Sequence, residues 1–400
     1  MQRVLTSQDI PLDLPPEAEG FEWRPDCRFF VGGLPCRHWR VCAGCELYDP
    51  VQRRVLIVML GLLGDMLIAS PLPARIKREH PATHITWLVD EACAPVLRMN
   101  PYIDRILHFG WDAATHLLSE TFTAVYSFER NPSAASLVER ISAGHKAGLA
   151  YGGTHNGLYA MGAAAAHFFR MNTWNEFRTR LNDTTWTELY FAVAGYRYEC
   201  EPYILEIPAV AKVRVASLLG SGASPRVCLN VGGSLRTKMW PTSHWTSLGS
   251  ALLERGCELV VTGGPTDEAI CEIVFRALAL RDSAGDRVRC AQLPIEEFAA
   301  VTAQCAVIVT GDSLGFHLAL AHETPCVLLL GPSNGAEVIP KHATKVTPLR
   351  GSLSCSPCAH QVACGGGGGC MDTIAPSRVL SETLKLLAKR HEAGTACGSI

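Results

Sequence analysis

Short apolar runs alternate with amphipathic stretches along most of the chain after residue 52. The runs "RRVLIVML" (53–60) and "HITWLVD" (84–90) have the length and composition of buried strands, while 71–80 and 91–99 have helical patterns. This alternation predicts βαβ units on a parallel sheet. Further strands are predicted at 105–110 and 122–128.

A second series of strand-like runs begins at residue 226, and each run ends in glycine or a polar loop residue. Its predicted strands are 226–232, 257–264, 305–312 and 325–332. Two successive series predict an α/β protein in which two Rossmann-like domains face each other across a cleft. The predicted divisions are an extension (1–50), a first domain (51–205), a linker (206–225), a second domain (226–385) and a tail (386–400).

Composition excludes several classes of protein. The 400 residues exceed the usual single-domain length of roughly 100–200, and a net charge of -2 lacks the basic excess typical of nucleic-acid binding. The chain has no apolar stretch of the roughly 18 residues that a membrane span needs. Its first 20 residues are acidic and Pro-rich rather than a signal segment, so we expect a cytoplasmic protein, or one attached peripherally to the inner face of the membrane.

Asp65 lies inside an otherwise apolar stretch, "MLGLLGDMLIASP" (59–71). The preceding glycines let the chain turn tightly out of the first predicted strand, and open α/β sheets bind ligands outside the carboxyl ends of their strands. Two interpretations are open. Asp65 is either the N-cap of the next helix or a carboxylate that acts in the cleft.

Two strand ends of the second domain carry residues suited to a nucleotide. The segment "GGSLRTKMWP" places Arg236 and Lys238 in a short loop that suits a diphosphate, although it also fits a plain solvated loop. In "TGGPTDE", Asp267 and Glu268 follow a predicted strand. They are either acceptors for ribose hydroxyls or solvated acids at the start of a helix.

A third strand end of this domain reads "TGDSLGFHLALAHE". Asp312 or Ser313 can cap a helix that carries His317, and free amides at the start of that helix form an anion site. The alternative is an ordinary capped helix with a surface histidine.

Together and in this order, these motifs resemble glycosyltransferase family 9, the ADP-heptose heptosyltransferases. The resemblance covers most of residues 53–385 and rests on "RVLIVMLGLLGDMLIASPLP", "LRTKMWPTSHW", "VVTGGPTDE", "TGDSLGFHLALAHETPCVLLLGPSN" and a "CSPC" tail. Leu314 stands where family members usually have glycine, and Gly315 follows it. The resemblance implies a GT-B fold and inverting transfer of a sugar, heptose from ADP-heptose, to a hydroxyl group.

The resemblance also assigns roles to single residues. Asp65 becomes the general base and Lys238 the contact to the diphosphate, with the acceptor on the first domain and the donor on the second. The residues that it places at the nucleotide-sugar site are Gly64, Arg236, Thr237, Asp267, Asp312, Ser313, Leu314, Gly315 and His317. The chain contains no Asp-x-Asp triplet, the carboxylate pair that holds a divalent metal ion in the other common class of glycosyltransferase. We therefore expect no catalytic metal.

The 17 cysteines include two groups with the spacing of metal ligands. The group in the loop 355–370 comprises Cys355, Cys358, Cys364 and Cys370, and four thiolates select zinc or iron. We expect a structural metal ion, because none of the four lies at a strand end facing the cleft. The second group comprises Cys27, Cys36, Cys42 and Cys45. The alternative for the group in the loop 355–370 is a set of free cytoplasmic thiols, and the second group is a possible second metal site.

Three functions remain open from the sequence. The first is a glycosyltransferase with a lipopolysaccharide core, another glycan or a protein as its acceptor. The second is another GT-B sugar-nucleotide enzyme, such as an epimerase. The third is a metal-binding interaction protein on a degenerate transferase fold. A homo-oligomer is compatible with each of them.

Overall fold

The computed structural model describes residues 23–31, 36–154, 156–222, 224–283, 285–361, 364 and 369–397. Part of the predicted extension (1–22 and 32–35), most of the glycine run in the cysteine loop (365–368) and the end of the tail (398–400) lie outside the described residues.

The first domain contains a six-stranded sheet with the strand order β3-β2-β1-β4-β5-β6. All neighbouring strands are parallel except the last pair, which is antiparallel. The strands are β1 (Arg53–Val58), β2 (Thr83–Val89), β3 (Arg105–His108), β4 (Thr121–Ser127), β5 (Ser142–Gly152) and β6 (Gly157–Met161). The helices are α1 (Leu63–Ala69), α2 (Pro71–Glu79), α3 (Ala94–Arg98), α4 (Trp111–Ser119), α5 (Pro132–Arg140), α6 (Ala165–Thr173) and α7 (Trp186–Val193).

The second domain contains another six-stranded sheet, with the order β12-β11-β10-β7-β8-β9 and all pairs parallel. The strands are β7 (Arg226–Asn230), β8 (Glu258–Thr262), β9 (Val288–Ala291), β10 (Val307–Gly311), β11 (Cys326–Leu330) and β12 (Val346–Arg350). The helices are α8 (Ala209–Leu219), α9 (Thr242–Leu253), α10 (Glu268–Ala279), α11 (Ile295–Gln304), α12 (Leu314–Ala321), α13 (Gly335–Val338) and α14 (Pro376–Cys397). The prediction of an α/β fold with two Rossmann-like domains is confirmed.

The strands predicted from the sequence are central ones, except for β3, which is an edge strand. Every residue of β2, β8, β10 and β11 is buried, because a parallel sheet is covered on both faces and its strands read as continuous apolar runs. Four strands lack such a run and were not predicted, namely β5, β6, β9 and β12. Of these, β6, β9 and β12 are edge strands and are only partly buried, so their side chains carry a weaker pattern.

The predicted linker is not an unstructured connection. Residues 209–219 form α8, whose Val215 and Leu219 are fully buried in a core cluster with Val301 and Phe316 of the second domain. This segment therefore belongs structurally to the second domain. The predicted tail likewise continues α14, which begins at Pro376.

The two domains share a packed boundary. Ala299 of α11 and Leu318 of α12 are buried in the same cluster as the core of the first domain. Leu63 of α1 and Leu314 of α12 both pack against that cluster. Burial of each large apolar side chain contributes roughly 1.5–3 kcal/mol, so this boundary holds the two cleft-facing helices α1 and α12 together.

The described part of the extension docks on the first sheet. Arg28 donates to Asp49 at 2.6 Å and to Asp104 at 2.8 Å, and it also donates to the carbonyl of Thr83 at 2.8 Å. Asp104 is mostly buried and accepts a further hydrogen bond from Lys77 at 2.9 Å. The extension is therefore anchored beside β2 and β3. None of the described helices is long and apolar enough to cross a membrane.

Candidate active site

Both sheets have a switch point, the place where the strand order reverses and where open α/β sheets form a ligand crevice. It lies between β1 and β4 in the first sheet and between β10 and β7 in the second. Asp65 follows β1, Lys238 follows β7 and Asp312 follows β10. The fold thus places all three predicted residues at switch points.

Asp65 lies in the first turn of α1 and is partly buried. Its Oδ2 accepts a hydrogen bond from the amide of Leu62 at 3.2 Å. Burial raises the pKa of Asp65 to about 6, although this hydrogen bond and the charge of Lys238 act in the opposite direction. The N-cap of α1 is Leu62 and Asp65 occupies the third helical position, so the interpretation of Asp65 as the N-cap is wrong. Asp65 still supports the start of the helix, because its carboxylate accepts from the amide of Leu62. It also has the elevated pKa of a carboxylate that can accept a proton near neutral pH, as the second requires.

Lys238 and Asp312 form an ion pair at the centre of the second domain's switch point. The Nζ of Lys238 donates to Oδ2 of Asp312 at 2.7 Å, and the hydroxyl of Ser333 donates to the same oxygen at 2.5 Å. Burial alone would raise the pKa of Asp312, but Lys238, His317 and Ser333 outweigh it and lower that pKa to about 2. Asp312 is therefore ionised and fixes the ammonium group of Lys238.

Neither Asp312 nor Ser313 caps α12, contrary to expectation. The hydroxyl of Ser313 accepts from Nδ2 of Asn230 at 2.9 Å and lies 3.1 Å from the hydroxyl of Thr310. Helix α12 thus begins without a side-chain cap among the described residues. A methyl group on Gly315 would lie 2.7 Å from Nδ2 of Asn230, so glycine lets α12 approach β7. The uncapped amides of its first turn suit an anion.

His317 is buried rather than on the surface, with 4% of its area exposed. Burial lowers its pKa to about 4, so the imidazole is neutral. A methyl group on Gly64 would lie 3.0 Å from Cδ2 of His317. The close approach of these two residues joins α1 to α12 across the cleft.

Arg178 was not predicted, and the sequence around it carries no recognisable motif. It lies on a short π-helix, Phe177–Leu181, in the first domain. It makes two hydrogen bonds with Glu337 of the second domain, at 2.7 and 2.8 Å. Its charge lowers the pKa of Asp65, so Arg178 lies within electrostatic reach of the cleft.

Thr237 and Lys238 lie on a short 3₁₀ turn that begins at Arg236. Arg236 is exposed. The hydroxyl of Thr237 lies 2.8 Å from Nδ1 of His360, a residue of the cysteine loop that sequence reasoning did not select. Burial lowers the pKa of His360 to about 4, and the charges of Lys238 and Arg178 lower it further. The cysteine loop therefore reaches closer to the cleft than expected.

Asp267 is buried at the end of β8, next to the switch point. Its Oδ2 accepts a hydrogen bond from the amide of Gly264 at 2.9 Å. A methyl group on Gly232 would lie 2.0 Å from the same oxygen, so the carboxylate packs directly against the loop after β7. Its role in ribose binding stays a prediction, whereas the neighbouring Glu268 is exposed.

The four cysteines of the C-terminal group lie close to one another. Burial raises the pKa of the Cys370 thiol above its ordinary value, and the nearby thiols of Cys364, Cys358 and Cys355 raise it further. Within the described ranges, however, no three histidine, cysteine, aspartate or glutamate side chains are arranged to hold a metal ion. The donor set suits zinc or iron, but its geometry does not form a coordination shell, and metal binding by either cysteine group stays a prediction.

Two Rossmann-like domains that face each other across one cleft are the architecture of the GT-B class. Residues 111–365 match glycosyltransferase family 9 (heptosyltransferase). The chain belongs to this family.

Two relatives illustrate the similarity. The chain is 30% identical to lipopolysaccharide heptosyltransferase 2 of Salmonella typhimurium over 157 residues, which are 38% of this chain and 43% of that enzyme. The match thus spans less than half of that relative. Lipooligosaccharide heptosyltransferase 2 of Haemophilus ducreyi is 22% identical over 360 residues, which cover 84% of this chain and 99% of that enzyme.

Solved structures agree on the fold. E. coli ADP-heptose lipopolysaccharide heptosyltransferase II superposes with a TM-score of 0.65 at 19% identity, covering 84% of this chain and 99% of that one. The iron-containing dodecameric glycosyltransferase TibC of enterotoxigenic E. coli superposes with a TM-score of 0.51 at 15% identity, covering 86% and 80%. The GT-B fold implied by the sequence is confirmed.

Proposed function

We propose that the protein transfers heptose from ADP-heptose to a hydroxyl group, with inversion at the anomeric carbon and without a catalytic metal ion. The acceptor is a lipopolysaccharide core, another glycan or a protein side chain. Support for the donor comes from the family and from relatives named as heptosyltransferases. Support for a metal-independent reaction comes from the absence of an Asp-x-Asp triplet in the sequence.

One observation carries the proposal. Asp65 of the first domain faces the Lys238–Asp312 ion pair of the second domain across one cleft, and the charges of both partners act on the pKa of Asp65. A sugar bound between them has a base on one side and a cation on the other. This is the arrangement that a single in-line displacement requires.

Asp65 is the proposed general base. Its carboxylate takes the proton of the acceptor hydroxyl while the hydroxyl oxygen attacks the anomeric carbon. The bond from that carbon to the diphosphate oxygen breaks at the same time, and the diphosphate leaves with the bonding electron pair. With a pKa of about 6, Asp65 is mostly ionised at neutral pH and is still basic enough to assist.

The second domain stabilises the leaving group. The diphosphate gains negative charge as the bond breaks, and fixed donors and cations aimed at that charge lower the barrier. Lys238 supplies the ammonium group. Asp312 accepts a hydrogen bond from this group and another from Ser333, and these contacts hold the ammonium group in position. The uncapped first turn of α12 supplies backbone amides.

A structural zinc or iron ion on Cys355, Cys358, Cys364 and Cys370 is a further part of the proposal. It is supported by the spacing of these residues in the sequence and by the closeness of the other three thiols to Cys370, whose pKa they raise. The name of TibC describes that protein as iron-containing and dodecameric. We propose that this chain also forms a homo-oligomer.

Release of nucleoside diphosphate from ADP-heptose, GDP-sugars and UDP-sugars tests the proposal. Each reaction is run with a heptose-deficient lipopolysaccharide core, a simple glycan or a protein acceptor. We expect the protein to release ADP from ADP-heptose, and we expect this release to be faster with one of the acceptor classes than in the absence of an acceptor. An interaction protein would release nothing. An epimerase would convert the sugar without releasing the diphosphate, and either result would overturn the proposal.

A further inference from the structure

The cysteine loop is attached to the donor side of the cleft by its own backbone. The amides of Cys358 and Ala359 both donate to the carbonyl of Pro332, at 3.1 and 3.0 Å. The hydroxyl of Ser356 donates to the carbonyl of Gly331 at 2.6 Å. These acceptors directly precede Ser333, which binds Asp312. The first half of the loop is therefore fixed to the segment that builds the switch point.

The same loop presents His360 to the turn that carries Lys238. The Nδ1 of His360 lies 2.8 Å from the hydroxyl of Thr237, 123 residues away in the chain. The imidazole makes no other hydrogen bond to the described residues. Ala359 and His360 have φ angles of 46° and 67°, a region that non-glycine residues seldom adopt. The loop holds this conformation where it meets Thr237.

His360 also lies among the charged groups of the cleft. Lys238 and Asp312 of the second domain and Arg178 of the first all act on it electrostatically. Thr237 directly precedes Lys238, so the hydroxyl that His360 contacts lies beside any anion that Lys238 binds. No other part of the described cysteine loop contacts the turn at Arg236–Lys238 by a hydrogen bond.

We propose that His360 is a positioning residue of the donor site, which fixes the hydroxyl of Thr237 for the diphosphate. This inference rests on the proposed function. In the arrangement proposed, Nδ1–H of His360 donates to the oxygen of Thr237. The hydroxyl of Thr237 then keeps its own proton for an oxygen of the diphosphate. The cysteine loop is thus a component of the donor site as well as a structural element.

Binding of ADP and of adenosine to the full chain tests this role. Adenosine lacks the diphosphate, so a residue that acts on the phosphates changes the affinity for ADP only. The variants are His360→Ala, His360→Asn, Thr237→Val and the double variant His360→Ala/Thr237→Val. Asparagine places an amide N–H near the position of Nδ1. The control is His116→Ala, an exposed histidine on α4 of the first domain.

We expect His360→Ala to weaken ADP binding about 10-fold, with adenosine affinity unchanged. Without His360 the hydroxyl of Thr237 is no longer oriented toward the diphosphate, and losing a hydrogen bond to a charged group typically has an effect of about this size. Asparagine should restore most of the ADP affinity. The double variant should bind ADP no more weakly than Thr237→Val, because both changes remove the same interaction. The control should match the wild type.

Unchanged ADP affinity in His360→Ala would overturn the inference. An equal loss of ADP and adenosine affinity would overturn it as well, because that result describes general damage to the domain. Additive effects in the double variant would show that the two residues act separately and would also overturn it. If the wild-type protein binds ADP no more tightly than adenosine, the diphosphate contributes no affinity. The proposed donor site then fails together with this inference.

Discussion

Gly64 and His317 come from different domains and touch across the cleft. A methyl group on Gly64 would lie 3.0 Å from Cδ2 of the imidazole, which is tighter than ordinary contact. Gly64 directly precedes Asp65, and His317 lies one turn into α12. The spacing between the proposed base and the anion-binding helix is therefore set at a contact where any side chain larger than that of glycine would require a shift.

Replacing Gly64 with alanine tests this spacing. We expect α1 and α12 to move apart by a few tenths of an ångström and the turnover number to fall about 10-fold, because reacting groups lose alignment steeply with distance. ADP affinity should change little. Gly61→Ala is the matched control, since a methyl group there would meet only Cys93, at 4.0 Å. Equal turnover in the two variants would contradict the role of this contact.

Replacing Asp65 with asparagine removes the proposed base and keeps its size. The turnover number should fall by about 10²–10⁴, the range typical of general base catalysis, and ADP affinity should stay within about twofold. The control is Asp90→Asn, an exposed carboxylate that follows β2 in the same domain. If the Asp65 variant kept more than a tenth of wild-type turnover, its carboxylate would serve only the start of α1.

Arg178 is one of the groups that set the pKa of Asp65 and therefore the pH dependence of the reaction. A base acts when it is deprotonated, so kcat/KM of the wild type should rise with pH and level off above about 6, the pKa of Asp65. The charge of Arg178 lowers that pKa. Arg178→Ala should therefore shift the rising limb to higher pH.

Lys341→Ala is the control for Arg178, because it removes another ion pair between the domains. Lys341 lies 3.2 Å from Glu188, but its side chain is 66% exposed. Exposed ion pairs contribute little, so the pH profile should stay at the wild-type position. A profile for Arg178→Ala that coincides with that of Lys341→Ala would contradict the electrostatic link to Asp65.

The residues predicted from the sequence are those that end a central strand. Asp65, Lys238 and Asp312 each follow an apolar run. The rule that parallel strands end at one edge brings Lys238 and Asp312 together in the second sheet, and the facing of the two domains brings Asp65 opposite them. The loop from Arg236 and the start of α12 were found in the same way. The assignment of individual roles came from family resemblance, because the local pattern around Asp65 fits a cap equally well.

The residues that the sequence did not reveal act through contacts between distant segments. Arg178 and Glu337 are separated by 159 positions, and neither lies in a motif. His360 lies among cysteines that drew attention to metal binding, and its partner Thr237 belongs to another strand end. Pairings of this kind depend on how distant segments of the chain pack together, which the hydrophobic pattern of a single segment does not encode.

Lys238 should contribute both to donor binding and to stability. In Lys238→Ala the buried Asp312 keeps Ser333 but loses its cation, and breaking a buried pair on one side destabilises a protein by about 3 kcal/mol. ADP affinity and turnover should fall together. The variant Lys238→Ala/Asp312→Asn should regain much of the free energy of unfolding, because no unpaired charge remains buried, but it should not regain ADP affinity. Recovery of ADP binding in the double variant would remove Lys238 from the donor site.

The cysteine group provides the last prediction. Cys370 is buried and Cys358 is held by the carbonyl of Pro332, so a metal ion bound by these thiolates would brace the loop against the second domain. Cys358→Ser should then lower the metal content and the melting temperature, since the free energy of metal binding contributes to folding. The control is Cys200→Ser, because Cys200 is exposed and lies outside both groups.

Elemental analysis of protein purified without chelators measures the metal directly. Less than about a tenth of an equivalent of zinc or iron in the wild type would contradict metal binding. If the metal is structural, the fraction of the Cys358→Ser variant that remains folded should keep most of the wild-type turnover number at saturating ADP-heptose. Its KM for the donor should rise, because the loop also carries His360 to Thr237. A large loss of turnover at saturation would instead assign the loop to the chemical step.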